Sequence, residues 1–373
     1  MGKAGISFYG ALGDFEFDGD GVVLSKSGGT VATYVWSIVN ELSNRGYEVV
    51  SLMPDLDTRG IRIMGDSLLF TSFCEEKRRR AYLNVAHPLG TCDFSKLTRD
   101  EVFRAWDTFE CRDLDFIVHR WVRKSIGENT GDCRSSLGPD WRPDLFIQGC
   151  VIEYCLENHI RLVVLDSDCD LDETTIASLR SSGLELDVVS GYVPFDFSAV
   201  YEFSAPSFVT NRLAIFGELT SCEVAIDSYV SRNLDSVVCY CSEMDGFSEF
   251  WGNVNFRGSI PNFRKPGAYR DAAATFVYPG RTGCERGVIP AHVLESALFG
   301  TVPLVSANYG DDFLLDAFGT VGKYLAVRSR DELERKTDEL FTNRASRVTI
   351  LNRIRESLRK KMDVRKFVDS IVC

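Results

Sequence analysis

Val288-Ile-Pro-Ala-His-Val-Leu-Glu-Ser-Ala-Leu-Phe-Gly-Thr-Val-Pro-Leu-Val-Ser306 is the stretch on which the reading of the fold turns. Pro290 suits the first turn of a helix, where its missing N–H costs nothing. Val293, Ala297 and Leu298 then supply an apolar face at helical spacing. Gly300 is placed to end the helix, and Val302–Val305 is a short apolar strand. Inside the helix, His292 and Glu295 stand three residues apart and so on neighbouring positions of one face. Two readings fit: an ordinary helix–turn–strand unit with an exposed glutamate, or a helix whose carboxylate meets a ligand at the sheet edge.

Upstream of this stretch the chain alternates in the same way. Ile6–Tyr9 is a short apolar run, Asp14–Gly21 is acidic and turn-rich, and Gly28-Gly29-Thr30 precedes a helical pattern over Val31–Leu42. Arg45-Gly46 ends that helix and Tyr47–Leu52 is a strand, so the opening is strand, long loop, glycine turn, helix, strand. Ligands of such parallel sheets bind at the carboxyl ends of the strands, where Gly28 and Gly29 would expose N–H groups. Residues 53–140 are the least regular part, with a strand expected at Ser67–Phe73 and a helix at Arg99–Phe109. Pro143–Ile147 reads as a strand and Val151–Asn158 as a helix. Arg161–Leu165 is a strong strand running into Asp166-Ser167-Asp168-Cys169-Asp170, followed by a helix at Thr174–Ser181 and a strand at Leu186–Val189. After a crossover at 190–206, strands are expected at Arg212–Phe216, Val237–Cys241, Thr275–Tyr278 and Tyr324–Val327. A helix is expected over Cys222–Arg232, another ends near Ala274, and Ser329-Arg-Asp-Glu332 opens one with a capping-box pattern.

The 373 residues are long for a single core, so two domains are expected. A 45% hydrophobic and 26% charged composition suits a globular protein with a large buried core. No apolar run reaches the ~18 residues of a membrane span, and Met1–Gly10 lacks a signal pattern. A cytoplasmic location with no membrane partner is therefore expected, the host cytoplasm if the protein is viral. The 12 cysteines include no Cys-x-x-Cys, and reduced, mostly buried thiols are expected. A net charge of −12 opposes wholesale binding to nucleic acid. Two local basic clusters run against it: Lys77 with Arg78, Arg79 and Arg80, and Arg120, Arg123 and Lys124 beside Trp121. Each reads either as a solvated surface or as a set of phosphate contacts. The stretch Arg353–Lys366, interleaved with Ile354, Leu358, Met362 and Phe367, reads as an amphipathic helix docked on the body.

The Glu295 helix followed by Gly-x-Val-Pro-Leu-Val resembles the nucleotide-binding element of GT-B glycosyltransferases. Phe250-Trp-Gly-Asn-Val254, Arg257-Gly-Ser-Ile-Pro261, Asp271-Ala-Ala-Ala-Thr-Phe-Val277 and the stretch Leu325–Leu340, with its Arg-Asp-Glu-Leu and Asp-Glu-Leu, follow in an order similar to that of the T-even phage DNA β-glucosyltransferases. This resemblance covers about 210–345, and elsewhere only the opening β–α–β unit and the strand ending in aspartates. It implies an α/β GT-B fold of two Rossmann-like domains facing a central cleft, over 1–195 and 207–345, with a helix at 346–373 returning to the first.

The resemblance also implies roles. Glu295 is the ribose-binding carboxylate, His292 stands where the family has Arg, and Gly217 matches a glycine ending the first strand of the second domain. The family's two diphosphate-binding arginines have no counterpart in Glu218–Glu223; Arg281 and Arg286, in the loop Gly280–Gly287, are the expected substitutes. Asp168 is the expected base that deprotonates the acceptor hydroxyl, with Asp166 as the alternative. The run Asp166-x-Asp168-x-Asp170-x-Asp172 lacks the Gly and distal Glu of a calcium loop, so no metal site is assigned. A Mg2+ or Mn2+ ion shared with the donor diphosphate stays open, and no cofactor is required.

The expected activity is inverting sugar transfer from a nucleotide diphosphate sugar, UDP-linked, to a hydroxymethylated pyrimidine in phage double-stranded DNA, by a monomer. A GT-B enzyme acting on a cell-surface glycan or small metabolite, and a non-catalytic nucleotide-sugar-binding module, are the alternatives.

Overall fold

A computed structural model of the chain describes residues 2–8, 15–18, 21–24, 30–52, 61–64, 82–86, 98–122, 143–167, 169–195, 197, 205–217, 224–241, 255–258, 265–277 and 283–372. The chain divides into two units, Met1–Phe195 with Val364–Cys373, and Asp196–Asp363.

In chain order the first unit contains β1 (Lys3–Ser7), β2 (Phe15–Asp18), β3 (Gly21–Leu24), α1 (Thr30–Asn44), β4 (Glu48–Ser51), β5 (Ile61–Met64) and β6 (Tyr82–Ala86). It continues with α2 (Arg99–Thr108), β7 (Phe116–Arg120), α3 (Pro143–Asn158), β8 (Arg161–Asp166), α4 (Glu173–Ser181) and β9 (Leu186–Ser190). The nine strands form one sheet in the order β2-β3-β5-β6-β4-β1-β7-β8-β9. The run β4-β1-β7-β8-β9 is parallel throughout. β1 starts the chain yet lies inside the sheet, between β4 and β7. Strand order reverses there, and such a switch point leaves a crevice beyond the carboxyl ends of the strands.

Two local readings change. Pro143–Ile147 is not a strand but the first turn and a half of α3, with Pro143 at the first helical position. Leu145, Phe146, Ile147, Cys150, Val151, Tyr154 and Cys155 are all buried, a spacing that a single strand cannot satisfy. The strand sought there is β7, whose Phe116-Ile-Val-His is buried on both faces and so carries no alternation to betray it. The acidic stretch at Asp14–Gly21 contains β2, which pairs antiparallel with β3, Asp18 opposite Gly21 across a two-residue connection. The strand expected at Ser67–Phe73 lies outside the described residues.

The second unit runs β10 (Asn211–Gly217), α5 (Val224–Val230), β11 (Val237–Cys241), β12 (Asn255–Phe256), α6 (Lys265–Arg270), β13 (Ala272–Val277), α7 (Gly283–Arg286) and α8 (Ala291–Leu298). It closes with β14 (Val302–Ser306), α9 (Asp311–Phe318), α10 (Gly322–Leu325), β15 (Ala326–Val327), α11 (Arg330–Thr342) and α12 (Arg344–Met362). Its six-stranded sheet is parallel throughout in the order β12-β11-β10-β13-β14-β15, so β10 and β13 flank its switch point. Tyr324–Val327 yields only the two residues of β15, because Gly322–Leu325 is helical. Ser329 caps α11, its side chain accepting from Glu332 N–H while the Glu332 carboxylate accepts from Arg328 N–H.

The C-terminal segment expected to return as one piece from 346 divides at Asp363. α12 stays with the second unit, where Arg355 donates to the Ala297 and Leu298 carbonyls at the end of α8. Only α13 (Val364–Val372) joins the first unit. Its Val364, Phe367, Val368 and Ile371 are buried in one cluster with Ile38, Val39 and Leu42 of α1. Arg161 holds its end through the Ile371 carbonyl at 2.9 Å. Among the described residues no helix is long and apolar enough to cross a membrane. Cys111, Cys150, Cys155 and Cys239 are buried and in no disulfide, and Cys169 and Cys284 are partly exposed and likewise in none.

His119, on β7, is buried, and burial pushes its imidazole down to about 4 from 6.5; the Gln148 side chain and the Ser7 backbone oppose this and the Arg120 charge adds to it. The unfolded chain therefore binds the extra proton first. Stability is whole above about pH 6.5 and declines as pH falls toward 4, by about 3 kcal/mol in all. Acid titration of unfolding should show this slope in the wild type and a flatter one in His119→Asn; equal slopes would reject it.

Candidate active site

Two helices on either side of β13 in sequence build the charged centre of the second unit. α6 contributes Lys265 and Tyr269, four residues apart and so on one face; α8 contributes His292 and Glu295, three apart. Lys265 Nζ donates to Glu295 Oε1 at 2.9 Å, and Tyr269 Oη donates to Oε2 at 2.7 Å. His292 Nδ1 lies 3.0 Å from Oε2 and 2.8 Å from the Tyr269 hydroxyl. Glu295 is only 2% exposed. Burial alone would push its carboxyl up, but the Lys265 charge, His292 and Tyr269 together hold it well below the usual carboxylate range. The glutamate is thus a fixed anion, not a proton carrier.

Phe216, near the end of β10, underlies this cluster. Its ring stacks on Tyr269 at 4.3 Å and Tyr240 at 5.1 Å, and lies 5.6 Å from the His292 ring. Thr275 on β13 donates to Ser296 Oγ, which donates to the His292 carbonyl, tying α8 to the sheet. Glu295 is therefore not the exposed residue of the plain helix reading. Its carboxylate accepts from the chain's own groups, and a ribose would share it with Lys265, Tyr269 and His292, a carboxylate having about four acceptor sites.

Gly217 is the last residue of β10, in register with Cys241 of β11. Arg286 ends α7, ahead of Gly287, whose φ of 67° suits glycine. A β-carbon at Gly287 would also stand 3.0 Å from the Phe313 ring. Tyr309, stacked on Phe313, donates to the Val288 carbonyl at 2.8 Å, so the approach to α8 packs against this aromatic pair. Arg281, the partner expected for Arg286, lies outside the described residues.

In the first unit, Asp166 ends β8 and is 1% exposed. Its Oδ1 accepts from Asp170 N–H at 2.8 Å and its Oδ2 from Leu171 N–H at 2.9 Å. Its carbonyl accepts from Cys169 and Gly191 N–H, and Cys169 takes the left-handed conformation at φ 51°. Asp166 is the hub of the turn, a placement suited to shaping it. Asp172 caps α4, accepting from Thr175 N–H at 2.7 Å. Two of the four alternating aspartates therefore serve backbone amides, and among the described residues no group of three or more His, Cys, Asp or Glu is placed to hold a metal. Arg120 closes β7 at the same carboxyl edge. Asp168, Gly28, Gly29, Arg78, Arg79, Arg80, Arg123 and Lys124 lie outside the described residues.

Lys265, Tyr269 and Phe216 are absent from the sequence reading. The Lys-x-x-x-Tyr spacing was visible, but on a six-residue helix it carries no amphipathic period, and its partner carboxylate lies 30 residues on.

No protein family and no curated relative matches the sequence. Solved structures do. The DNA-modifying enzyme β-glucosyltransferase of phage T4, determined with and without its substrate uridine diphosphoglucose, matches with a TM-score of 0.54 at 11% identity over 99% of both chains. The chain has the GT-B fold. Sucrose-phosphate synthase from Thermosynechococcus elongatus matches at 0.50 and 13% identity, over 100% of this chain and 98% of that one. A mutant O-GlcNAc transferase from Thermobaculum terrenum matches at 0.52 and 12% identity, over 100% of this chain and 66% of that one.

Removing one member of a buried ion pair leaves the other uncompensated, at a cost of about 3–5 kcal/mol. Lys265→Met should therefore destabilise the second unit by that order. Lys265→Met combined with Glu295→Gln should recover much of the loss. Urea unfolding of the three chains checks this; a double mutant no better than Lys265→Met would show that the pair is not coupled.

Proposed function

We propose that this protein is an inverting glycosyltransferase that takes its sugar from a nucleotide diphosphate sugar, UDP-linked, and passes it to the hydroxymethyl group of a modified pyrimidine in double-stranded DNA. The observation that carries the reading is the buried Glu295 anion within α8, beside the switch point of a GT-B second unit. Support for the acceptor comes from the DNA-modifying β-glucosyltransferase, which this chain matches along its whole length.

In this reading the donor ribose hydroxyls bond to Glu295, and His292, Arg281 and Arg286 meet the diphosphate, with Gly217, Gly28 and Gly29 allowing close approach. Asp168 takes the proton of the acceptor hydroxyl. The acceptor oxygen then bonds to the anomeric carbon as the bond to the diphosphate oxygen breaks on the opposite face. Asp168 is preferred to Asp166 because the Asp166 carboxylate already accepts two backbone N–H groups. Arg78, Arg79, Arg80, Arg120, Arg123 and Lys124 supply phosphate contacts, and the target base leaves the stack to reach the site. No metal is required; a Mg2+ or Mn2+ bound with the diphosphate is a variant that chelation would reveal.

The net charge of −12 favours a second reading, the same chemistry on a glycan or small metabolite. Salt separates the two, since transfer to DNA should weaken steeply as salt rises and transfer to a neutral acceptor should not.

Glu295→Ala should weaken UDP binding about 10–100-fold, as a hydrogen-bonded buried carboxylate contact is worth about 1.5–3 kcal/mol. Asp168→Asn should abolish transfer with UDP affinity unchanged. Calorimetry with UDP, and mass spectrometry of hydroxymethylated DNA incubated with sugar nucleotides, measure both. Full transfer by Asp168→Asn would remove the proposed base.

A further inference from the structure

A second polar network lies at the switch point of the first unit, and no step of the proposed chemistry uses it. Ser7 ends β1 and His119 is the penultimate residue of β7; the two are register partners on adjacent strands. His119 Nδ1 lies 3.0 Å from Ser7 Oγ, and His119 Nε2 lies 3.0 Å from Gln148 Oε1 on α3. All three residues are buried. Gln148 in turn grips both backbone groups of Val122: Oε1 accepts from Val122 N–H at 2.8 Å, and Nε2 donates to the Val122 carbonyl at 3.0 Å.

That grip gives the network a direction. Turning the Gln148 amide over would set N–H against N–H and oxygen against oxygen, so Val122 fixes which end is the carbonyl. Gln148 Oε1 must then accept from His119, which places a proton on Nε2. A neutral ring protonated at Nε2 leaves Nδ1 as an acceptor, so Ser7 donates to it.

The gripped residues follow directly on Arg120. Trp121 N–H donates to the Leu165 carbonyl at 2.9 Å, one residue before Asp166, the hub of the turn 166–171. The exit of β7 is thus fastened on one side to the end of β8 and on the other to α3. A parallel strand would stay in the sheet without Gln148, since β7 is already paired to β1 and β8. What Gln148 adds is a fixed path for the chain just beyond the strand, at the edge where ligands of such sheets bind.

We infer that Ser7, His119 and Gln148 are positioning residues that fix the backbone of Trp121 and Val122, and with it Arg120 and Trp121, against the turn after β8, so that an acceptor bound at this edge is held in register with that turn. The inference rests on the reading that the first unit takes the acceptor. The packing of α3 supplies the rigidity: Ile147, Cys150 and Val151, around Gln148, belong to the apolar core against Ile117, Leu162 and Val164.

The test is made on the full chain. Nitrogen-15 NMR of the imidazoles near neutral pH should show His119 neutral and protonated at Nε2; the Nδ1–H tautomer would overturn the relay. Gln148→Ala should speed hydrogen exchange at the Trp121 and Val122 amides and raise KM for hydroxymethylated duplex DNA at least about tenfold, since a displacement near 1 Å at a site is that costly. Its UDP affinity should stay at the wild-type value. An unchanged acceptor KM, or a parallel loss of UDP binding, would overturn the positioning role. Gln148→Glu guards against a misfolded alanine variant. It keeps the acceptor for Val122 N–H but loses the donor, so exchange at Val122 should again rise, while the carboxylate draws a proton onto His119 that NMR detects as an imidazolium. Failure of the glycosyl-transfer reading appears elsewhere, as Asp168→Asn retaining full transfer or Glu295→Ala retaining full UDP affinity.

Discussion

The buried pair of Lys265 and Glu295 is the constraint around which the second unit's site is organised. Two charges withdrawn from water impose a desolvation cost that only close geometry and further hydrogen bonds offset. Here Tyr269 and His292 provide those bonds, and their positions follow from helical spacing once Lys265 and Glu295 are set. The pair also fixes α6 against α8 across the β13 connection. Phe216, Tyr269 and His292 stack because the two helices are held at that separation. A single electrostatic demand thus accounts for the aromatic layer, the helix spacing and the permanent negative charge on α8.

The first unit meets a similar problem by other means. At its switch point the buried groups are neutral or bonded to backbone. His119 is kept uncharged by burial, and Asp166 places both carboxylate oxygens on amides of the turn that follows it. A carboxylate accepting backbone N–H bonds is cheap to bury and stiffens the loop it caps. The left-handed Cys169 fits this account. A non-glycine residue is held at a positive φ only where its surroundings over-determine it, and here the Asp166 carbonyl and carboxylate bond residues 169, 170 and 171.

Much of this was legible in the sequence, for reasons that differ by element. The β8 strand and its terminal aspartates, the α8–β14 unit and the cap at Ser329 were readable because each is encoded within about a dozen residues. β7 was missed because a strand buried on both faces carries no alternation, and the histidine inside it interrupts the apolar run. α3 was misread at its start because its first turn packs three consecutive apolar residues, Leu145, Phe146 and Ile147, which imitates a buried strand. The partners of Glu295 were beyond reach for another reason. Lys265 lies 30 residues from Glu295, and the two meet only through the packing of α6 and α8, with β13 between them in sequence. That the Asp166 carboxylate accepts from the Asp170 and Leu171 amides was likewise beyond any spacing rule.

The contrast between the units bears on how a GT-B fold accommodates different acceptors. A nucleotide donor presents the same ribose and diphosphate whatever sugar it carries, so a charge fixed by helix packing suits it. An acceptor differs from enzyme to enzyme, and the chain that meets it is best placed on loops, which change without disturbing a core. In this protein the carboxyl edge of the first unit's sheet is shaped by backbone bonds to Asp166 and Gln148. An overall charge of −12 describes the whole chain and does not fix the charge at one edge of a sheet, so it is compatible with the proposed polyanionic acceptor.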